Sequence, residues 1–336
     1  MDLFSELIIF IVSIFVLSKA SHTVIKSSVK IAKITRLGEL TIGFLLLSVA
    51  TTLPDLAVGF SSILSEDVGI AIGNALGANI AKICLIVGLM GLFNPMRIDE
   101  RTLTRLTEIL SLSSFILIMV FILSPMSTLI GIVLLILFVI FNLYSIRKKI
   151  TLELKLEETL EFLTNFKLPN TFYKSLFFLI IGSAIVIASS WFVVESTSNM
   201  ATILGISESI IGATIIAIGT SLPELSTALT AFREGHLKLG LGNVIGSCLT
   251  NLTLVLGVIL VLAPFKFDME IFATLTIFAI ISNTLLWFFI GSIGRKKLDR
   301  REGVILLIVY FIFLITTFSL TIPGLGYFTL ILKSLK

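Results

Sequence analysis

The chain has 336 residues, 56% of them hydrophobic and 14% charged, with a formal net charge of +4. Soluble domains carry about 25% charged residues, so a soluble protein is excluded, and the basic residues are scattered over loops rather than gathered into a patch for nucleic acid. Cys84 and Cys248 both lie in apolar runs; two such cysteines exclude a disulfide framework and read as small buried thiols.

Apolar stretches follow one another along the chain, and about 20 residues cross a bilayer core. They predict an all-α membrane protein with ten transmembrane helices at about 3–18, 39–63, 68–93, 107–123, 126–146, 175–194, 208–232, 237–263, 269–290 and 303–321. The first stretch has no basic region before it and no small-x-small site after it, so it reads as a span and not a signal peptide. The longest polar break, 147–174, could hold one short amphipathic helix but no folded domain. Of the 25 Lys and Arg, 21 fall on one side of this layout, three (Lys266, Lys333, Lys336) on the other, and Lys82 inside a span. The richer side is cytoplasmic by the positive-inside rule, which places both termini outside.

The second span carries TTLPDLAVG at 51–59 and the seventh carries TSLPELSTA at 220–228, 169 residues later. The same shift places Glu208 on Glu39, Gly212 on Gly43, Gly242 and Asn243 on Gly73 and Asn74, Gly246 on Gly77 and Gly257 on Gly88. The chain therefore reads as an internal repeat: a first five-helix unit over 1–146, a linker over 147–174 and a second five-helix unit over 175–336. Five spans is an odd number, so the two units enter the membrane in opposite directions. Inverted repeats with helices broken at the midplane are the signature of a secondary transporter.

Each motif sets a proline beside an acid inside an apolar run. Pro54 cannot donate to the Ala50 carbonyl, nor Pro223 to that of Gly219, and an unpaired carbonyl in lipid must face protein, water or an ion. Asp55 and Glu224 follow directly. Two carboxylates, the Ala50 and Gly219 carbonyls, and the hydroxyls of Thr51, Thr52, Thr220, Ser221 and Ser247 form an all-oxygen set, which suits Ca²⁺ or Na⁺ and not zinc or copper. The opposing reading is that the prolines are ordinary kinks and the acids pair with cations elsewhere; intramembrane acids favour the functional one. Next come GNALGANIAK (73–82) and GNVIGSCLTN (242–251). Their glycines read as close helix packing, while Asn74 and Asn243 read equally as interhelical hydrogen bonds or ion contacts.

These blocks resemble the alpha repeats of the cation/Ca²⁺ exchanger superfamily, which includes the sodium/calcium exchangers, with patterns G-T-S-L-P-E-L and G-N-x-x-G-S-N. The resemblance spans nearly the whole chain. It implies Ca²⁺ ligation by the acid of each first motif, Na⁺ and Ca²⁺ contacts from the preceding Thr and Ser, and a site completed by the second-motif Ser and an Asn or Asp four residues on. Thr220, Ser221, Glu224, Ser247 and Asn251 match it fully. The first repeat departs: Ala50 stands for Gly, Thr52 for Ser, Asp55 for Glu, Ala78 for the ligand Ser, and Lys82 for the Asn or Asp.

Lys82 lies 14 residues into its span, about 20 Å from one end at ~1.5 Å per residue, too deep to reach water easily. It either points into a water-filled vestibule or needs a carboxylate, for which the repeat geometry offers Asp55. In the second case it is a tethered monovalent cation. The expected function is then an antiporter that exchanges Ca²⁺ or a related cation for Na⁺ by alternating access around Asp55 and Glu224. H⁺/Ca²⁺ exchange, or a non-transporting membrane protein of the same fold, are the alternatives. No nucleotide motif and no nucleophile with a base indicate an enzyme, and His22 and His236 read as solvated loop residues. No resident cofactor and no protein partner are implied. The partners are transported Ca²⁺, Na⁺ or H⁺ and the lipid bilayer, with the plasma membrane the expected location.

Overall fold

The structure is a computed structural model that describes residues 3–34, 51–93, 96–97, 100–122, 127–153, 170–233, 237–263, 269–291 and 297–320. The first part runs α1 (Leu3–Ile34), α2 (Leu53–Leu64), α3 (Val68–Ile80), the π-helical segment π1 (Ala81–Val87), α4 (Gly88–Phe93), β1 (Met96–Arg97), α5 (Glu100–Ile122) and α6 (Ser127–Glu153). The second runs α7 (Asn170–Leu204), α8 (Glu208–Ile211), π2 (Gly212–Ile216), α9 (Ala217–Thr220), α10 (Leu222–Arg233), α11 (Leu237–Thr250), π3 (Asn251–Val255), α12 (Leu256–Leu262), α13 (Met269–Gly291), β2 (Lys297–Leu298) and α14 (Arg300–Ser319). The two-residue strands β1 and β2 pair antiparallel; the other elements among the described residues are helical.

Among the described residues, six helical stretches are long and apolar enough to cross a membrane: Leu3–Val24, Val68–Phe93, Asn170–Leu204, Gly240–Leu262, Glu270–Gly291 and Arg300–Ser319. The expected fourth and fifth spans are shorter apolar helices, Leu106–Ile122 and Thr128–Leu143. The second is described only from residue 51. The seventh is a chain of short elements from Glu208 to Arg233, and not one uniform helix.

Three boundaries correct the sequence expectation. α1 continues to Ile34, because the polar stretch after its apolar part contains neither Gly nor Pro to stop it. α7 covers 35 residues and stops only at Gly205, whose φ of +63° suits glycine. α6 runs to Glu153, so the expected linker begins as helix.

The core forms around α3, π1, α11 and π3, which are buried almost throughout. α1 lies along α7, α5 against α13, α6 against α12 and α14 against α4. These flanking helices turn large apolar side chains outward, among them Phe4, Ile11, Phe177, Ile180, Phe311 and Ile315. An apolar exterior on helices that satisfy their own backbone bonds is what a bilayer demands.

One close approach positions the centre of the molecule. α3 lies backbone to backbone on α8 and π2, and a Cβ added at Gly77 would stand 2.5 Å from the Ala213 Cα and closer still to its carbonyl oxygen. Gly212 meets α3 in return, with a Cβ there 2.7 Å from the Ile70 carbonyl oxygen. Asn74, between Gly73 and Gly77, is thereby held against the segment that leads to Thr220.

Candidate cation site

A single turn residue, Ser221, separates α9 from α10, and Thr52 is the equivalent turn residue before α2. Backbone bonds carry across the interruption: Leu56 N–H donates to the Thr52 carbonyl at 3.0 Å, Ser221 N–H to the Ala217 carbonyl at 3.2 Å and Leu225 N–H to the Ser221 carbonyl at 3.0 Å. This tight continuation corrects one expectation. The Gly219 carbonyl is not bare, because it accepts a backbone N–H at the end of α9 and keeps only its second lone pair for another partner. Ala50 lies outside the described residues.

Pro54 and Pro223 occupy the first turns of α2 and α10, where a missing N–H breaks no intrahelical bond. Asp55 and Glu224 are held in those same first turns, each fully buried. Acids are favoured at that end of a helix.

Between them stands Lys82. It is the second residue of π1, it is fully buried, and its ammonium lies 2.8 Å from Asp55 Oδ2 and 2.9 Å from Glu224 Oε1. The vestibule reading of Lys82 is therefore corrected, and Glu224 is a second partner that repeat geometry alone did not supply. The other Asp55 oxygen accepts a hydrogen bond from Asn74 Nδ2 at 3.2 Å, and Thr220 Oγ1 donates to Asn74 Oδ1 at 3.0 Å. One network thus runs from Thr220 through Asn74, Asp55 and Lys82 to Glu224. A matching bond relates the opposite pair: Thr51 Oγ1 donates to Asn243 Oδ1 at 3.3 Å. Shifted by 169, Thr51 becomes Thr220 and Asn74 becomes Asn243.

The remaining sequence candidates are buried as well. Thr52 is 1% exposed and Ser221 3%. Ser247 Oγ donates to the Val244 carbonyl of its own helix at 3.0 Å. Ser221 Oγ, Glu224 Oε2, Asn243 Nδ2 and both amide atoms of Asn251 have no hydrogen-bond partner among the described residues. Buried polar atoms left open cost free energy; of these, Ser221 belongs with Glu224 to the first motif of the second repeat, and Asn243 and Asn251 to its second motif. Asn79 belongs with them: it is 1% exposed and both its amide atoms are open. Its only sequence signal was an amide at membrane depth one turn before Lys82. The two cysteines are buried, Cys84 donating to Ser282 Oγ at 3.1 Å; His22 is exposed, and His236 lies outside the described residues.

A second group of acids lies at the turns that join α2 to α3 and α7 to α8. Both turns close with an i−5 backbone bond, Asp67 N–H to the Ser62 carbonyl and Ile206 N–H to the Ala201 carbonyl, around a residue of positive φ, Glu66 at 66° and Gly205. They border a cavity of about 520 Å³ lined by Glu66, Val68, Ser207 and Glu208 among others. Asp67 and Glu208 share a side-chain hydrogen bond, and burial raises the Asp67 carboxyl above its ordinary range.

Comparison with known proteins finds relatives along most of the chain. The family model described as sodium/calcium exchanger protein matches residues 5–147 and 174–319. The sodium/calcium exchanger MaX1 of Methanosarcina acetivorans is 32% identical over 93% of this chain and 98% of its own length. The inner membrane protein YrbG of Escherichia coli is 32% identical over 68% of this chain and 71% of its own. Among solved structures, the sodium-calcium exchanger NCX_Mj soaked with 100 mM Na⁺ and 10 mM Sr²⁺ is similar with a TM-score of 0.65 and 26% identity, over 93% of this chain and 98% of that one.

Proposed function

The chain belongs to the sodium/calcium exchanger family, a family of membrane ion transporters and not of enzymes, and from that premise we propose that it is a secondary antiporter exchanging Ca²⁺ or a related cation for Na⁺ by alternating access around Asp55 and Glu224. The observation that carries this reading is the convergence of the two acids on one buried cation, the Lys82 ammonium, at 2.8 and 2.9 Å. A spot between two carboxylates that holds an ammonium has the charge and oxygen chemistry to hold a hard metal cation. Thr51, Thr52, Thr220, Ser221, Ser247 and Asn251 supply the further oxygens, and Asn74 and Asn243 orient the set.

The architecture proposed with it is ten spans in two inverted five-helix units, 1–146 and 175–336, joined by 147–174. The two segments matched by the family model fall on the two units. A shift of 169 carries the bounds of α5 onto those of α13 and the Thr220–Asn74 bond onto Thr51–Asn243. The packing of α1 with α7 and of α5 with α13 joins equivalent helices, as an approximate twofold axis in the membrane plane would. Both termini then lie outside, in the plasma membrane.

The test is ⁴⁵Ca²⁺ uptake into proteoliposomes of the full chain, driven in turn by an outward Na⁺ gradient and by a pH gradient. Uptake that follows Na⁺ supports the proposal. Uptake that follows only the pH gradient assigns H⁺ as counterion instead, and no uptake under either gradient refutes transport of Ca²⁺.

A further inference from the structure

The Asp55–Lys82–Glu224 group has consequences for coupling. Two carboxylates and one ammonium sum to a formal charge of −1, wholly out of contact with solvent. The ammonium nitrogen lies where a cation shared by Asp55 Oδ2 and Glu224 Oε1 would lie, so a divalent ion bridging those oxygens and the ammonium exclude each other. An obligate exchanger depends on a charge asymmetry. With two acids and no lysine, the group carries −2 when empty and 0 with a divalent ion, and the cost of moving buried charge climbs steeply with its magnitude. The empty form is then held back until counterions neutralise it. With Lys82 the empty form carries −1, and one monovalent counterion neutralises it where two are needed without the lysine.

A displaced ammonium also needs an acceptor. Asn79 is three residues before Lys82, which sets the two on neighbouring positions of one helical face. Its Oδ1 is buried and open among the described residues, as is Oδ1 of Asn251. Lys82 therefore has oxygen to turn to without reaching water.

Resting on the reading that Asp55 and Glu224 ligate the transported cation, we propose that Lys82 is a tethered counter-cation: an entering ion displaces its ammonium from between the two acids, and the ammonium closes them again when that ion leaves. The tether takes the place of one mobile counterion in the return step, so each Ca²⁺ is exchanged for one Na⁺ fewer than at a site of two acids alone.

The experiment loads proteoliposomes of the full chain with ⁴⁵Ca²⁺ and dilutes them into Ca²⁺-free medium containing Na⁺ over a graded range, with choline making up the salt. The pH is equal on both sides, and K⁺ with valinomycin holds the membrane potential at zero. Wild-type efflux is expected to need Na⁺ and to rise with it, at low Na⁺, with a log–log slope of about one. Lys82→Asn removes the tether, and its efflux is expected to rise with a slope of about two, so that a tenfold fall in Na⁺ lowers it about a hundredfold where the wild type falls about tenfold. A wild-type slope of about two or more overturns the proposal whether or not the asparagine variant folds, and so does a Lys82→Asn slope no steeper than that of the wild type; wild-type efflux indifferent to Na⁺ overturns the Na⁺ antiport and the tether with it. A silent wild type beside a transporting Lys82→Asn overturns the displacement step while leaving the ion site standing. Silence in both overturns the ion site itself, and the tether with it.

Discussion

Removing the charge of Lys82 while keeping its bulk, as Lys82→Met does, leaves two acids buried with no cation between them. The ammonium sits 2.8 and 2.9 Å from its two partners. At an effective dielectric of ~20 each attraction is ~6 kcal/mol, and the two carboxylate oxygens, within about 6 Å of each other, repel by ~3 kcal/mol. Desolvation offsets much of the attraction, and breaking a buried pair by removing one partner typically costs about 3–5 kcal/mol. That range is the expected loss of stability in chelator-treated, Na⁺-free detergent solution, read as the midpoint of thermal unfolding followed by intrinsic fluorescence. Two companions locate the effect. Adding Ca²⁺ should raise the midpoint of Lys82→Met more than that of the wild type, because the ion meets no competing ammonium. Asp55→Asn with Lys82 intact leaves one acid facing one ammonium and should unfold close to the wild type. A Lys82→Met protein as stable as the wild type without Ca²⁺, and shifted no further by it, would refute the electrostatic reasoning.

Other outcomes follow from neighbouring features. Glu224→Gln should abolish Ca²⁺ flux while costing no more than about 1 kcal/mol of stability, since the amide keeps the shape and can still accept from Lys82; normal flux would exclude Glu224 as a ligand. Gly77→Ala drives a Cβ into the backbone at Ala213, so a loss of ~1–3 kcal/mol or more is expected, with Ala213→Gly in the same chain recovering little because the clash is with backbone. Asp67 holds its proton more tightly in the folded chain than its ordinary value of 3.8. The folded form therefore binds the extra proton above that pH, and stability should fall as pH rises through the window; Asp67→Asn should flatten that part of the curve of unfolding midpoint against pH. Cysteine scanning should label Ser334→Cys but not Thr159→Cys from outside intact cells, and the reverse would invert the orientation drawn from the basic residues.

Much of the site was legible because lipid makes every polar residue conspicuous. Asp55 and Glu224 stood out as acids beside prolines in apolar runs, and Lys82 stood out against Asn251 at the equivalent place. The second contact of Lys82 was not legible, since it reaches into the other half of the chain and depends on how the two halves cross. Asn79 was hidden for a different reason: in a run of small residues an amide reads as an interhelical bond, and only its burial without a partner marks it out. The bare Gly219 carbonyl was a misreading of proline. Placed in the first turn of a helix, proline removes a donor that had no partner anyway, and the preceding turn closes on itself. Helix lengths were underestimated where polar residues prolong α1 and α7, because an apolar run measures the membrane and not the helix.

Lys82 and Asn251 share one further circumstance: each lies at the start of a wide helical turn, Ala81–Val87 and Asn251–Val255. A π turn takes in one residue more than an α turn. Sliding that surplus residue along a helix rotates the side chains it passes by about 100° and advances them ~1.5 Å, the increments of a single α-helical step. A rod so built behaves like a screw with one loose thread. The side chain at the loose thread can be turned away from its neighbours and brought back while the ends of the span stay put and the backbone ladder stays closed. Lys82 thus has a mechanical means of leaving the acids that does not call on the rest of its helix to move.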